Sequence, residues 1–225
     1  MSNKAKTHTV YKNKENTRLP GVTTITGELG WNKRVLVAWA NKIGLQGIEV
    51  AKFVDDKAAI GTLAHAMVTD HFLGIKTDTS DYSANQISLA ENSCLSFWEW
   101  AKGKKIEPIL HADGKPYIER PLVSESMQFG GTADLPLVID GVKTLVDLKT
   151  GKGIYEEYFI QVAGGYLPLL EENGCKIDRV MILNIPRSED ESFQSKIITN
   201  IEVCREIFNY CLAIYRLKKQ LGVEK

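Results

Sequence analysis

The sequence predicts a mixed α/β fold, a mixed β-sheet flanked by helices and preceded by a helical N-terminal region. Three observations lead there. Apolar residues recur at helical spacing from about Lys33 to Lys102. The period then changes to two between Tyr117 and Thr150. Beyond it, helix, two strands and helix follow one another to the C-terminal end.

Taken in order, the first helical stretch runs from about Lys33 to Phe53 and is interrupted near Gly44 and Gly47. A second helix is expected over Lys57–Leu73, stopped by Gly74, and a third over Ser83–Lys102, stopped by Gly103. Strands are expected at Tyr117–Val123, Gln128–Ile139 and Val142–Thr150. A helix follows at about Tyr155–Glu172 and ends at Asn173-Gly174. Two more strands are expected at Arg179–Ile185 and Phe193–Thr199, with Ser188–Glu191 as a solvated turn between them. Asn200 is the expected N-cap of a last helix, Ile201–Leu221.

The chain has 225 residues, of which 44% are hydrophobic and 25% charged, so a sizeable core is possible and disorder is not the default. No repeat or linker divides it, and residues 19–225 are read as a single domain. Residues 1–18 differ: Lys4, Lys6, Lys12, Lys14 and Arg18 face one acid, Glu15. They read as a solvated, frayed terminus or as a basic arm that touches phosphate. Lys+Arg and Asp+Glu are both 28, and this balance neither requires nor excludes a nucleic-acid partner. No stretch is apolar for long enough to span a bilayer, and no N-terminal segment reads as a signal peptide. A cytoplasmic protein with reduced cysteines is expected. Cys94, Cys204 and Cys211 fall on apolar helical seams and read as packed thiols, and the four tryptophans read as core.

The strongest chemical signal is Gly130-Gly131-Thr132-Ala133-Asp134 followed by Val146-Asp147-Leu148-Lys149. Asp140-Gly141 between them is a preferred two-residue hairpin turn. A hairpin closed there sets Asp134 directly across from Asp147 on one face, and Lys149, two residues on, shares that face. Opposed like charges destabilise a sheet. At ~5 Å and an effective dielectric of ~20 the repulsion is about 3 kcal/mol. A hard divalent cation removes that cost, and Mg²⁺ takes one or two carboxylates plus water and phosphate. The bland alternative is a pair of exposed surface carboxylates. A tight turn at Ser126-Met127 sets Glu119 beside Asp134 as a third acid, with Glu125 as the rival. Among other candidates, His65 is either a satisfied helix histidine or a metal ligand. Thr23 and Thr24 either donate to phosphate or cap and pair locally. Lys152, between Gly151 and Gly153, is either solvated or a phosphate contact.

Gly131–Asp134 followed by Asp147–Lys149 resembles the PD-(D/E)XK nuclease superfamily. Gly61-Thr62-Leu63-Ala64-His65 and Gln161 resemble motifs of its RecB-like exonuclease branch. Leu19-Pro20-Gly21-Val22-Thr23-Thr24-Ile25 and Trp39-Ala40 are similar to phage-encoded members and to mitochondrial genome maintenance exonucleases. The resemblance spans about residues 19–170 and implies a restriction-endonuclease-like fold. It implies Mg²⁺, with Mn²⁺ as a substitute, bound by Asp134, Asp147, the backbone carbonyl of Leu148 and His65. Lys149 then activates water or stabilises the transition state, and Gln161 orients Lys149 or the DNA. The implied activity is Mg²⁺-dependent DNA hydrolysis, by an exonuclease acting on ends. The alternatives are a structure-specific endonuclease of the same superfamily and a non-catalytic DNA-binding protein on this fold. The implied partners are DNA and a recombination or single-strand-binding protein. Some relatives carry a four-cysteine iron–sulfur cluster. Here no close cysteine triplet exists, and no iron–sulfur cluster is expected. The family usually has Tyr four residues after Gln, but here that position is Gly165 and the tyrosine is Tyr166. On an α-helix the fifth residue points away from the first, which predicts a core Tyr166.

Overall fold

The computed structural model describes residues 9–30 and 33–222. Lys4, Lys6 and Trp31 lie outside the described residues. From residue 11 the basic N-terminal segment forms a two-stranded hairpin of β1 (Tyr11–Lys12) and β2 (Arg18–Leu19). A short helix α1 (Val22–Thr26) follows, then α2 (Lys33–Leu45), α3 (Val50–Leu73) and α4 (Ala84–Ala101). The helix expected from Lys57 starts earlier, at Val50, because Gly47 at φ 74 makes the break and nothing after it interrupts the helical run. Ser83 caps α4 in a reciprocal capping box with Gln86, and Gly103 at φ 77 lies just beyond its end.

The sheet is mixed and has five strands. They are β3 (Ile106–Pro108), β6 (Leu135–Ile139), β7 (Val142–Lys149), β8 (Arg179–Asn184) and β9 (Gln194–Ile198), in that spatial order. Within it β7 and β8 pair in parallel and the other neighbours are antiparallel. A parallel neighbour needs a crossover, supplied by one long helical passage. It comprises α5 (Glu156–Phe159), a π-helical segment (Ile160–Tyr166) and α6 (Leu167–Glu172). The chain ends in α7 (Ile201–Gln220).

Both faces of the sheet are covered, and β7 shows how. Val146 and Leu148 face one core with Phe97 of α4 and Val68 of α3. Leu145 faces the other with Val162, Leu170 and Phe208, from the π-helical segment, α6 and α7. A separate ribbon, β4 (Pro121–Ser124) with β5 (Phe129–Thr132), stands beside the sheet.

Several expectations are corrected. The single strand Gln128–Ile139 breaks at Ala133-Asp134, where the chain leaves the ribbon and enters the sheet. The strand expected from Tyr117 begins only at Pro121, because Glu119 turns the chain at φ 50. Strand β3 has too few residues to show a period. Asn200 makes no side-chain cap. The Ser188–Glu191 turn is not fully solvated: Glu191 is nearly buried and paired with Arg187. Trp98 and Trp100 pack against the core, but Trp39 is 37% exposed on α2. Cys175, Cys204 and Cys211 are buried thiols, and Cys94 is half-buried. Among the described residues, no helix is long and apolar enough to cross a membrane.

Candidate active site

The site begins with a turn. Asp140 at φ 50 and Gly141 at φ 84 both take the left-handed conformation that a two-residue hairpin turn requires. The register this fixes runs from Ile139↔Val142 to Leu135↔Val146. Asp134 and Asp147 are next in line. Asp134, however, sits at the bend between β5 and β6 and has left the strand. Its carboxylate Oδ2 accepts a hydrogen bond from the backbone N–H of Leu148 at 2.9 Å. The side chain thus takes the place of a ladder partner and holds itself against the Asp147–Lys149 segment.

Asp147 is 1% exposed, and its Oδ2 lies 2.6 Å from Lys149 Nζ. The contact is an ion pair without hydrogen-bond alignment, so this buried oxygen has no aligned donor. Burial, opposed by Lys149 and reinforced by Asp134, pushes the Asp147 carboxyl up to about 6. Burial alone would lower the Lys149 ammonium, but Asp147 and Asp134 outweigh it, and its pKa is raised. The same ammonium lies 4.9 Å from the centre of the Tyr158 ring, a cation–π contact. Tyr158 was not singled out from sequence. One turn before Gln161, it had only a helical aromatic's signature.

Helix α3 brings His65 to the carboxylates, with Nδ1 3.3 Å from Asp134 Oδ2. Gly61, one turn earlier, explains the start of that motif. A Cβ there would lie 2.7 Å from Thr150 Oγ1, so a side chain would push α3 off the end of β7. A cavity of about 560 Å³ opens at this junction, lined by His65, Glu119, Asp134, Gly61 and Thr150, with Lys57 and Arg187 among its other walls. Glu119 is tied to this bend through the backbone: its N–H donates to the carbonyls of Ala133 at 3.1 Å and Asp134 at 3.4 Å. Its rival Glu125 accepts from the backbone N–H of Lys14 instead. Arg187 is a wall residue that sequence reasoning missed, because it lies far along the chain after β8, in no recognisable motif.

Tyr166 is buried in the core, as expected, but it also meets Gln161, contrary to the α-helical expectation. Gln161 Nε2 donates to the Tyr166 hydroxyl at 3.0 Å. The π-helical segment is the reason: its wider turn brings residues five apart onto one face. Burial, with the Asp147 and Asp134 charges adding to it, pushes the Tyr166 hydroxyl well up, so this side chain feels the carboxylate pair. Lys152 is exposed on the loop after β7. That loop is anchored by Asn184, whose Nδ2 donates to the carbonyl of Gly151 at 2.9 Å. Thr23 and Thr24 lie exposed on α1 and line a second cavity on the other side of Glu119.

Among the described residues, no group of three or more His, Cys, Asp and Glu side chains is arranged as a ready-made metal shell. The residues present nonetheless fit a hard cation of the Mg²⁺ type. Asp147 offers a buried oxygen with no aligned donor, and Asp134 stands close enough to raise the Asp147 pKa. Mg²⁺ uses one or two carboxylates and keeps several waters, so it needs no protein cage.

No family model matches the chain, and no curated protein matches it. Among solved structures, it is similar to a candidate exonuclease from Eubacterium rectale. The identity is 12%, the TM-score 0.44, and the match covers 74% of this chain and 69% of the other. It is also similar to the protein SSO0001, at 15% identity and a TM-score of 0.30, over 72% and 74% of the two chains. Both scores are below 0.5, and neither likeness carries a functional argument.

Proposed function

We propose that this protein is a Mg²⁺-dependent deoxyribonuclease of the PD-(D/E)XK superfamily, of the RecB-like branch, hydrolysing phosphodiester bonds at DNA ends. One observation carries the reading: two carboxylates and an ammonium converge at the end of β7, with a buried Asp147 oxygen lacking an aligned donor. In this reading Asp134, Asp147, the Leu148 carbonyl and His65 hold the cation, with Glu119 as the third acid. A Mg²⁺ ion held by these residues, or a Mn²⁺ in its place, would supply Lewis-acid polarisation of the phosphate and a more acidic water. Lys149, held as an ammonium by its two carboxylate neighbours, faces the charge that builds on the phosphate. Tyr158 fixes the ammonium from the other side, and Gln161 with Tyr166 forms the adjoining wall. Lys152, Thr23 and Thr24 contact DNA phosphates.

Residues 19–225 form one nuclease domain in this reading, acting in the cytoplasm beside a recombination or single-strand-binding protein. The preference for ends rests on the branch resemblance. A fluorescent DNA degradation assay with and without Mg²⁺ tests hydrolysis. Linear DNA degraded while circular DNA survives is the expected pattern. Circular DNA opened at the same rate replaces the exonuclease with an endonuclease, and no cleavage of either leaves only a DNA-binding protein.

A further inference from the structure

We propose that α7 pairs with α7 of a second copy of this chain, antiparallel and across a two-fold axis, so that the protein is a homodimer. The pairing surface is a face of the helix that lines neither of the two cavities. It does not depend on the nuclease reading.

Helix α7 carries two apolar faces. Cys204, Phe208, Cys211 and Leu212 form one, and it is buried in the core. Val203, Ile207, Tyr210, Ile214, Leu217 and Leu221 form the other. Ile207 is half-buried against the core, but the remaining five are 46–77% exposed. A helix on the outside of a domain needs one apolar stripe to bind it, so the fold does not account for the second. Its residues follow one another at alternating steps of four and three, the spacing of the a and d positions of a coiled coil. Leu221 continues the helical path beyond Gln220, since its N–H donates to the carbonyl of Leu217 at 3.0 Å. At 1.5 Å per residue the seam is about 27 Å long. Contiguous exposed apolar surface of this kind marks an interaction site.

The seam is complementary to itself when it runs antiparallel. Val203 then meets Leu221 of the second copy, Ile207 meets its Leu217, and Tyr210 meets its Ile214. Ala213, small and exposed, flanks the axis and leaves room for two helices to approach closely. Charge selects the same direction. Glu202 and Glu206 are exposed in the first half of α7, where the one cation, Arg205, is turned aside to Glu171 at 2.7 Å. Arg216, Lys218 and Lys219 occupy the last half. An antiparallel pair sets the acidic half of each helix beside the basic half of the other, and opposes the two helix dipoles. A parallel pair sets like beside like. A patch that matches itself in both shape and charge is what a two-fold interface requires, and this selects a second copy as the occupant.

The test is sedimentation velocity on the full chain across the micromolar range. The wild type should sediment at twice its chain mass of 25.1 kDa. Ile214→Asp with Leu217→Asp should raise the dissociation constant about a hundredfold, since two central apolar contacts are lost and charge enters the seam. Both positions are exposed, so the variant should stay folded by circular dichroism. Ala213→Arg, which blocks the close approach, should act in the same direction and gives the answer if the double variant misfolds. Crosslinking with a short bismaleimide tests the direction of pairing. Ala213→Cys, beside the axis, should link two copies. Val203→Cys should not, because its two copies stand about 27 Å apart, but should do so in a chain that also carries Leu221→Cys. The wild type, whose own thiols are buried or half-buried, is the blank. A wild type that is monomeric at every concentration, or folded seam variants that dimerise as it does, overturns the proposal. Val203→Cys alone linking as well as Ala213→Cys overturns the antiparallel pairing.

Discussion

Asp147 should make the metal-free protein lose stability as pH rises, an unusual direction for a carboxylate. Its folded pKa is about 6 against an ordinary value of 3.8, chiefly because it is buried. A group with a raised folded pKa contributes stability that is fully present below its unfolded pKa and lost as pH climbs through its folded pKa. The window is therefore about pH 4 to pH 6. A shift of about two units corresponds to about 3 kcal/mol. Other carboxylates have the opposite slope. Asp190 and Glu191, for example, are held down by hydrogen bonds. The quantity to measure is therefore the difference between wild type and Asp147→Asn. Urea unfolding in EDTA across that window should show the wild type losing about 3 kcal/mol relative to the variant. Asp134 still attracts the Lys149 ammonium in the variant and keeps it charged over this range, so the difference reports Asp147. Adding Mg²⁺ should flatten the wild-type slope, because a bound cation favours the ionised carboxylate. Parallel wild-type and variant curves in EDTA would refute the buried, ill-matched carboxylate.

Four further outcomes are expected. Lys149→Met should keep metal binding but reduce cleavage by about 10²–10⁴-fold, and substantial rescue by Lys149→Arg would assign the lysine to charge stabilisation. His65→Ala should lower divalent affinity and activity more than the melting temperature; a collapse of stability with normal activity per folded molecule would make His65 a core residue. Gly61→Ala should cost about 1–3 kcal/mol by overpacking against Thr150, and Thr150→Ala should relieve much of that cost in a double-mutant cycle. Tyr166→Phe and Gln161→Ala should each cost about 1 kcal/mol, with less than additive loss together, because they share one hydrogen bond; additive losses would contradict the shared bond.

The hairpin was legible because its register follows from two residues. Asp140-Gly141 dictates the turn, and the alternation of Leu145, Asp147 and Lys149 against Val146 and Leu148 dictates which face meets which core. The register of the β4–β5 ribbon matches the one expected, but no strong turn signal marks it in the sequence, and the connection spans four residues, 125–128. The break at Asp134 was not legible, because it depends on a side chain reaching the Leu148 amide across the hairpin. The π-helical segment was hidden too. A tyrosine one place late after Gln161 reads as a departure until the helix is known to widen there.

The most direct test of the central claim is the rate at which end-labelled linear DNA is degraded by wild type, Asp134→Asn and Asp147→Asn, each in Mg²⁺ and in EDTA. The account predicts degradation by the wild type in Mg²⁺ alone, with both variants inactive though folded. Full cleavage by either variant in Mg²⁺, or by the wild type in EDTA, would contradict it.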